Sequence, residues 1–286
     1  MIVRDGTSRV KARWQRALVT GGSAGIGAAL ARELAAAGTD LVLVARGEER
    51  LNSVAFDLEH RYGIGVETMT ADLLDPDQLA VVEDRLMSTE RPVDLMINNV
   101  GGHYGAAGIA PFASHDRSDL EAEAWLNAVV LMRLTHAAVG AMRSRGYGHV
   151  IQVSAGVAFA PAAGSANYAA SKAYVNSLTA AINHELRGTG VRLIAICPGF
   201  TNTDGPKRIG FSSANVPRFM WKEPEDVARA ALRAASRGRR SVYSPGLLAK
   251  ILGRLSYYGP RPLVLRVMAG VMRDKHTADS GPPLAS

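Results

Sequence analysis

The sequence contains one cysteine, Cys197, among 286 residues, so an internal disulfide bond is impossible and a reducing, cytoplasmic setting is expected. Its seven histidines show no HExxH or paired-ligand spacing, so we expect no metal site. No run of about eighteen apolar residues occurs, which argues against a membrane-spanning helix. The basic N-terminal stretch lacks an apolar segment, so it does not have the pattern of a secretory signal.

Concentrated positive charge is also missing, although the formal net charge is +7. Outside the N-terminal stretch and the run RGRR at 237–240, the basic residues are scattered. The sequence has no basic stripe interleaved with aromatic residues and no helix-turn-helix pattern. We therefore expect no nucleic-acid partner.

What the sequence does have is a regular alternation of short apolar runs with longer helical patterns. The apolar runs lie at 16–20, 41–45, 66–70, 94–98, 149–154 and 191–197, and a shorter one lies near 239–244. Near-continuous apolar runs are typical of parallel strands that helices cover on both faces. We predict an α/β fold with a Rossmann-like doubly wound parallel sheet of six to seven strands. A single catalytic domain is expected over residues 1–245, followed by an amphipathic C-terminal extension over residues 246–286.

A glycine-rich segment, TGGSAGIG, directly follows the first predicted strand. Its GxxxGxG spacing suits a tight turn, close approach of a pyrophosphate to the backbone, and close packing of the next helix. The N-terminus of that helix would direct amides and the positive end of its dipole at the phosphates. We therefore assign to dinucleotide binding Gly21, Ser23, Gly25, Ile26 and Gly27.

The second predicted strand is followed by Arg46, where a fold that prefers NAD usually has an acidic residue. An arginine can pair with a 2′-phosphate and stack on the adenine, so we predict NADP(H) in preference to NAD(H). Asp72 and Leu73 follow the third strand and are expected to border the adenine, although Asp72 could also cap the next helix. Asn99 and Gly101 follow the fourth strand, at the edge where ligands of open α/β sheets bind.

Six short motifs occur in order along the chain: TGGSAGIG, ADL, NNVG, the AWLNAVVLM segment around Asn127, YAASK and PGFTNT. With these motifs at these spacings, nearly the whole chain resembles the short-chain dehydrogenase/reductase family of the single-domain type. The form of NNVG and the stretches VLVARGEERL and SVYSPGLLAKILGRLS are similar to the branch that includes 3-oxoacyl and 17β-hydroxysteroid reductases.

The resemblance implies a role for individual positions. Tyr168 would be the catalytic acid/base, Lys172 its activator, and Asn127 a holder of a proton-relay water. A serine near position 154 would orient the substrate carbonyl. The nicotinamide end of the cofactor would be held by Pro198, Gly199 and Thr203, together with Tyr168 and Lys172.

The tyrosine and lysine also have a chemical reason to act together. Hydride transfer to a carbonyl leaves an alkoxide that must gain a proton, and a free tyrosine with a pKa of about 10 is a sluggish participant near neutrality. Tyr168 and Lys172 are four residues apart on a predicted helix, so they share one face. The lysine ammonium is expected to favour the tyrosinate and to lower the pKa of the tyrosine.

The chain departs from the family at the active-site serine. The family places this serine thirteen residues before the tyrosine, a position that is Ala155 here, and Ser154 lies one residue earlier. In one alternative the following loop bulges by a residue and Ser154 reaches the substrate oxygen, and on this basis we place Ser154 in the catalytic set. In the other, Ser154 is structural and the substrate-facing hydroxyl is lost. Ser165, three residues before the tyrosine, is a third candidate.

The region after the PGFTNT motif is expected to form a lid over the substrate. Its apolar residues either line an inner surface that suits a hydrophobic carbonyl or alcohol, or pack on the domain: Phe211, Val216, Phe219, Met220 and Trp221. The C-terminal extension has the pattern of two amphipathic helices broken at 259–262. It could pack on the domain, join the subunits of an expected homo-oligomer, cap the substrate mouth or make peripheral contact with an anionic membrane.

The leading hypothesis is an oxidoreductase that transfers a hydride between NADPH and a carbonyl or hydroxyl group of a hydrophobic substrate, such as a 3-oxoacyl compound or a ketosteroid. The residue at 155 motivates an alternative from another class, a non-catalytic NADP(H)-binding sensor or scaffold. A third hypothesis keeps the enzyme and places it at a membrane surface as a lipid reductase.

Overall fold

The central sheet contains seven parallel strands in the part of the chain that is described. The computed structural model describes residues 13–105, 108–205, 216–238, 241–246, 253 and 255–272. The strands are β1 (Arg16–Thr20), β2 (Asp40–Ala45), β3 (Val66–Thr70), β4 (Leu95–Asn98), β5 (Gly148–Val153), β6 (Val191–Ile196) and β7 (Val242–Tyr243). Each lies within one residue of a predicted run or inside it. The predicted α/β fold with a Rossmann-like sheet is confirmed.

Helices connect the strands and cover both faces of the sheet. They are α1 (Gly25–Ala36), α2 (Glu48–Tyr62), α3 (Pro76–Met87), α4 (Arg117–Ala124), α5 (Leu131–Arg145), α6 (Ala166–Glu185), α7 (Pro224–Arg237) and α8 (Arg261–Met272). Helix α3 begins after Asp75, whose carboxylate accepts hydrogen bonds from the amides of Asp77 and Gln78. Helices α2 and α5 end at Gly63 and Gly146, which adopt the left-handed conformation that favours glycine.

The strands follow the order β3-β2-β1-β4-β5-β6-β7, and every neighbouring pair is parallel. The chain builds one half of the sheet outward from β1 through β3 and then returns to the other side of β1 with β4. Ligand sites of doubly wound sheets lie outside the carboxyl ends of the strands, at the point where the order reverses. Here that point is the crevice between β1 and β4.

Successive residues of each strand contribute to two hydrophobic layers, one on each face of the sheet. In β1, Val19 belongs to a first layer that also contains Leu34 of α1 and residues of α7. Leu18 belongs to a second layer that contains Leu134 of α5 and residues of α3. Because apolar side chains are buried on both faces, the strands are apolar along most of their length.

One continuous helical segment, Arg117–Arg145, is long and apolar enough to cross a membrane by length and composition alone, among the residues described. It joins α4 to α5 through a π-helical turn at Trp125–Val130. Helix α5 packs on β4 and β5 and contributes to the second hydrophobic layer. Part of the apolar surface of this segment is therefore buried against the sheet.

The C-terminal extension is described in part. Helical residues at 255–258 are followed by Gly259 and Pro260, and α8 begins at Arg261, so a helix break falls near the predicted position. Tyr258 and Leu263 are exposed, and Val264 is buried. The domain boundary between residues 245 and 246, and any membrane or subunit contact of the extension, stay predictions.

Candidate active site

The glycine loop joins β1 to α1 at the carboxyl edge of the sheet. Gly21 (φ 65°) and Gly25 (φ 51°) adopt the left-handed backbone conformation that favours glycine. The Gly21 amide donates to the Val44 carbonyl of β2 at 2.7 Å, which fixes the loop to the neighbouring strand. Ser23 lies in the turn, and Ile26 packs on the first hydrophobic layer from the first turn of α1.

The packing of this loop fits a dinucleotide. A β-carbon on Gly27 would overlap the carbonyl oxygen of Gly21, so only glycine allows α1 to approach the end of β1 this closely. The N-terminal amides of α1 and the positive end of its dipole consequently border the crevice. These are the groups that bind a pyrophosphate at a helix N-terminus.

Asn99 fixes this loop to the end of β4. Its side-chain nitrogen donates to the carbonyls of Thr20 at 3.0 Å and Gly21 at 3.4 Å, and its backbone amide donates to the Thr20 hydroxyl at 3.0 Å. Gly101 has a φ of 142°, and a β-carbon there would lie 3.1 Å from Nζ of Lys172. Both residues therefore shape the crevice between β1 and β4.

Arg46 and Asp72 lie at the carboxyl ends of β2 and β3, with their side chains exposed. Nη1 of Arg46 is 4.0 Å from Oδ2 of Asp72, and an exposed pair at this distance contributes little stability. The guanidinium therefore remains accessible to an anionic ligand. Asp75 is the residue that caps α3. The side chain of Leu73 is buried in the second hydrophobic layer, so its backbone is the part that can border an adenine, and that contact stays a prediction.

Tyr168 and Lys172 lie one turn apart on α6, beside the ends of β4 and β5. Nζ of Lys172 donates to the carbonyl of Val153, the last residue of β5, at 3.1 Å. The same nitrogen is 5.6 Å from the centroid of the Tyr168 ring. Lys172 is buried and Tyr168 is half-buried. The structure therefore brings the predicted acid/base pair to the same edge as the glycine loop.

The electrostatics of this pair differ from the sequence-based expectation. Burial lowers the pKa of Lys172 to about 8, although Cys197 and Glu123 oppose the shift. Burial, assisted by the Glu123 carboxylate, raises the pKa of Tyr168, whose hydroxyl is desolvated although part of its side chain reaches solvent. In the chain by itself, burial and the Glu123 carboxylate both act to raise the pKa of Tyr168, so the expected lowering is not seen. Tyr168 is therefore protonated at neutral pH, as a proton donor must be.

Ser154 directs its hydroxyl into the protein interior. Oγ donates to the carbonyl of Lys172 at 3.1 Å and also contacts the Cys197 thiol. The Ser154 amide donates to the Ile196 carbonyl of β6 at 2.8 Å, so the extended pairing of β5 continues through this residue. Ala155, on the opposite side of the extended chain, is partly exposed. The expected reach of Ser154 toward the substrate is therefore not observed, and the geometry matches the alternative in which Ser154 is structural.

Asn127 is buried in the π-helical turn between α4 and α5, a feature that is frequent at functional sites. Its Oδ1 accepts from the Gly102 amide at 3.0 Å, and its Nδ2 donates to the carbonyls of Gly102 at 2.7 Å and Glu123 at 2.9 Å. Asn127 thus holds the loop after β4 against α4. Its role in holding a relay water stays a prediction.

The loop after β6 contains the residues predicted for the nicotinamide end. The Pro198 carbonyl accepts from the Gly156 amide at 2.7 Å, which connects this loop to the one after β5. The methyl carbon of Thr203 would lie 3.2 Å from a β-carbon on Gly25, so the loop also contacts the glycine loop. Gly199, between these contacts, is exposed. The predicted cofactor and catalytic residues thus come together at one edge of the sheet.

Three residues that the sequence analysis did not place in the site lie beside Tyr168. The ring of His103 is 4.4 Å from that of Tyr168, centroid to centroid. Nδ1 of His103 is 3.3 Å from Oε2 of Glu123, and Nδ2 of Asn167 donates to Oε1 of Glu123 at 3.0 Å. The sequence contained one signal that could have placed Glu123 in the site. Glu123 precedes Asn127 by four residues, so the two share a helix face.

The expected lid is described in part. Phe211 lies outside the described residues, and Met220 is partly buried. Val216 is buried, whereas Phe219 is 76% exposed. Trp221 contacts Phe200, with ring centroids 5.5 Å apart. The described residues therefore include both packed and exposed apolar side chains, and their contact with a substrate stays a prediction.

Comparison with known proteins identifies the family. A family model described as short chain dehydrogenase matches residues 15–210. The chain belongs to this family. The predicted enzyme class, a nicotinamide-dependent oxidoreductase that acts on a C–OH or C=O group, is thereby confirmed.

Individual relatives cover most of the chain. The very-long-chain 3-oxoacyl-CoA reductase of Phaeosphaeria nodorum is 29% identical over 275 residues, covering 90% of this chain and 76% of that protein. Among solved structures, a short-chain dehydrogenase from Sphingobium yanoikuyae in complex with NADPH is 35% identical, with a TM-score of 0.75 and coverage of 81% and 88% of the two chains. The bulky-bulky ketone specific alcohol dehydrogenase from Comamonas testosteroni is 29% identical, with a TM-score of 0.72 and coverage of 82% and 86%. A 3-oxoacyl reductase among these relatives agrees with the branch indicated by the sequence.

Proposed function

We propose that this protein is an NADPH-dependent reductase of hydrophobic carbonyl compounds, with Tyr168 as the acid/base. The observation that carries the proposal is the position of Tyr168 and Lys172. They lie on one face of α6, with Lys172 fixed to the Val153 carbonyl at 3.1 Å, at the sheet edge that also holds the glycine loop. A half-buried tyrosine with a raised pKa and a buried lysine at such an edge form a proton-transfer site.

Different residues at this edge would bind different parts of the cofactor. The glycine loop would hold the pyrophosphate, Arg46 the 2′-phosphate, and the loop after β6 the nicotinamide end. Support comes from the exposed guanidinium of Arg46 and from the NADPH complex of the Sphingobium yanoikuyae relative. The remaining contacts that we propose are Asp72, the Leu73 backbone, Asn99 and Gly101 beside the adenine and ribose, and Pro198, Gly199 and Thr203 at the nicotinamide.

The chain's own residues would transfer the proton. NADPH, when bound, supplies the hydride that reduces the carbonyl carbon. As negative charge develops on the substrate oxygen, Oη of Tyr168 donates its proton to that oxygen. The ammonium of Lys172 stabilises the tyrosinate that remains, and this assistance is strongest below the pKa of Lys172, which is about 8. In the oxidative direction, the tyrosinate accepts the proton of the alcohol.

The substrate class is proposed from two sources. The relatives include a 3-oxoacyl-CoA reductase and an alcohol dehydrogenase specific for bulky ketones. The lid region supplies the apolar side chains of Val216, Phe219 and Trp221 after the nicotinamide loop. We therefore propose 3-oxoacyl compounds, ketosteroids or similarly large apolar ketones as substrates.

A second candidate function is a non-catalytic NADP(H)-binding sensor, which Ala155 and the inward hydroxyl of Ser154 favour. The two functions differ in turnover. NADPH oxidation would be followed with 3-oxoacyl thioesters, ketosteroids and simple aldehydes, and NADPH binding would be measured separately by fluorescence. Tight binding without turnover of any of these compounds would favour the sensor.

The reductase is tested directly by Tyr168→Phe. Removing Oη removes the proton donor, so we expect kcat to fall at least about 10³-fold while the Kd for NADPH changes less than about twofold. Tyr174→Phe, on the same helix and exposed, is a matched control that should leave both quantities unchanged. Turnover retained by Tyr168→Phe would refute the mechanism.

A further inference from the structure

Glu123, at the end of α4, is a buried carboxylate that lies outside the motifs of the site. Its side chain is 6% exposed, and both oxygens have partners. Oε1 accepts from Nδ2 of Asn167 at 3.0 Å, and Oε2 accepts from the Tyr104 amide at 3.1 Å and lies 3.3 Å from Nδ1 of His103. A buried carboxylate that is held by three groups is costly to place, and such groups are concentrated at functional sites.

His103 connects this carboxylate to Tyr168. Its ring packs against the Tyr168 ring at 4.4 Å with an interplanar angle of 34°. Its Nε2 lies 3.1 Å from Oγ of Ser165, so both ring nitrogens have partners. Ser165 occupies the N-cap position of α6, where a serine hydroxyl usually caps the helix, but its hydroxyl makes no capping hydrogen bond. The contacts of Glu123 and Ser165 thus fix the imidazole against the catalytic ring.

The charge of Glu123 acts on both members of the acid/base pair. The carboxylate adds to the effect of burial in raising the pKa of Tyr168, and it opposes the effect of burial in lowering the pKa of Lys172. The other titratable groups around Tyr168 come from three elements: Lys172 on α6, His103 and Tyr104 on the loop after β4, and Cys197 at the end of β6, near Lys172. Glu123 is the carboxylate of this cluster, and the other members are a lysine, a histidine, a tyrosine and a thiol.

We propose that Glu123 is a positioning residue that keeps the proton on Tyr168 and, through His103, fixes the orientation of its ring for carbonyl reduction. The inference rests on the proposed reductase function. A negative charge beside the phenol disfavours tyrosinate, and it favours the ammonium of Lys172. Both effects hold protons at the site, so the charge extends the pH range in which Tyr168 can donate.

Removing the charge while keeping the shape tests this inference. In Glu123→Gln, both Tyr168 and Lys172 lose an anionic neighbour, so both pKa values fall. We therefore expect the alkaline limb of the reductive kcat profile to move to lower pH by roughly one unit, whichever group controls it. Alcohol oxidation, which needs tyrosinate, should begin at lower pH. Glu121→Gln, an exposed residue on the same helix, is the matched control and should not move either limb.

His103→Gln separates orientation from charge. This variant keeps the Glu123 carboxylate but removes the ring that packs on Tyr168. We expect kcat to fall about tenfold, with the KM for NADPH within twofold and the alkaline limb within about 0.3 unit of the wild-type position. This result would also support the proposal if Glu123→Gln proved unable to fold. Full activity of His103→Gln, or an unmoved alkaline limb in folded Glu123→Gln, would overturn it.

A readout without turnover distinguishes failure of this inference from failure of the reductase function. Tyrosine labelled with ¹³C at Cζ would be titrated by NMR in the wild type and in Glu123→Gln, and the Tyr168 resonance would be assigned with Tyr168→Phe. We expect the Tyr168 midpoint to move to lower pH in Glu123→Gln, even in protein without cofactor or substrate. An unchanged midpoint would overturn the role of Glu123 whether or not a substrate had been found.

Discussion

The amino edge and the carboxyl edge of the same sheet both contain buried charged groups, but these groups have different partners. At the amino edge, Asp94 accepts hydrogen bonds from the amides of Gln15 at 2.8 Å and Arg16 at 2.9 Å, and Arg16 also pairs with Asp40 at 2.8 Å. These contacts join the starts of β1, β2 and β4 and give each charged side chain a polar partner. They therefore act in stability.

At the carboxyl edge, burial disfavours the charged forms of the ionisable side chains. Burial lowers the pKa of Lys172. It raises the pKa of Tyr168, and the buried carboxylate of Glu123 adds to that rise. Backbone torsions there also require glycine, as at Gly21 and Gly25. Ionisable groups with strongly shifted pKa values are concentrated at functional sites, which agrees with the catalytic role that we propose for this edge. Substitutions of the cofactor and acid/base residues at the carboxyl edge should consequently change binding and turnover, and substitutions at the amino edge should change folding.

Among the substitutions that compare the two edges, the largest effect is expected at Gly27. In Gly27→Val, the β-carbon would overlap the Gly21 carbonyl oxygen, so the loop must move away from the pyrophosphate site. We expect the Kd for NADPH, measured by fluorescence titration, to rise at least about 100-fold. Gly140→Ala, at an exposed helical glycine with open space around it, should leave the Kd unchanged. Normal NADPH binding by Gly27→Val would refute the assignment of the loop.

Arg46 tests the preference for NADP(H). Removing the guanidinium in Arg46→Ala should raise the Kd for NADPH about 10- to 100-fold, because a charge-assisted contact to the 2′-phosphate is lost. The Kd for NADH, which lacks that phosphate, should change less than about twofold. Arg61→Ala, an exposed arginine at the other end of α2, is the control. Equal weakening of both nucleotides would argue against a 2′-phosphate contact.

The amino edge has its own pH dependence, through His149 at the start of β5. Burial lowers the pKa of His149 to about 4, and Arg13 and Arg192 assist. The unfolded chain, in which the pKa is about 6.5, therefore binds a proton that the folded chain rejects, and stability falls as the pH drops from about 6.5 toward 4.

Urea unfolding should detect this loss. We expect His149 to lower the free energy of unfolding by about 1–2 kcal/mol between pH 7 and 4.5, allowing for its partial exposure. That part of the acid destabilisation should be absent in His149→Gln and present in the control His60→Gln, which alters an exposed histidine. An identical acid dependence in the wild type and His149→Gln would contradict the assignment.

The smallest effect is expected at Ser154. A substitution there distinguishes a catalytic Ser154 from a structural one. Ser154→Ala removes a buried hydrogen bond to the Lys172 carbonyl and should cost about 1 kcal/mol of stability, measured by thermal unfolding. Turnover at a temperature where the variant is folded should fall less than about threefold. Ala155→Ser, which restores a hydroxyl on the partly exposed side, should raise turnover. A loss of turnover of tenfold or more in Ser154→Ala would return Ser154 to the catalytic set.

Much of the fold and the glycine loop could be predicted because their signals are local. A parallel strand that is buried on both faces is apolar along its length, and the loop that follows β1 needs glycine at positions 21, 25 and 27. Tyr168 and Lys172 were also predictable, because four residues on a helix place two side chains on one face. The burial of the Leu73 side chain was less predictable. The sequence gives its place after β3 but does not show that its side chain enters the second hydrophobic layer.

The sequence by itself determined the order of the strands along the chain, the positions of the glycine loop and the shared helix face of Tyr168 and Lys172, because each depends on neighbours within a few residues. Only the tertiary structure decided the direction of the Ser154 hydroxyl, which depends on contacts with α6 and β6. It also decided the placement of His103 and Glu123 beside Tyr168. These residues lie on separate elements that meet only when α4 and α6 pack beside the loop after β4. The direction of the Tyr168 pKa shift has the same origin, since burial and the nearby carboxylate arise from packing and not from the spacing of the motif.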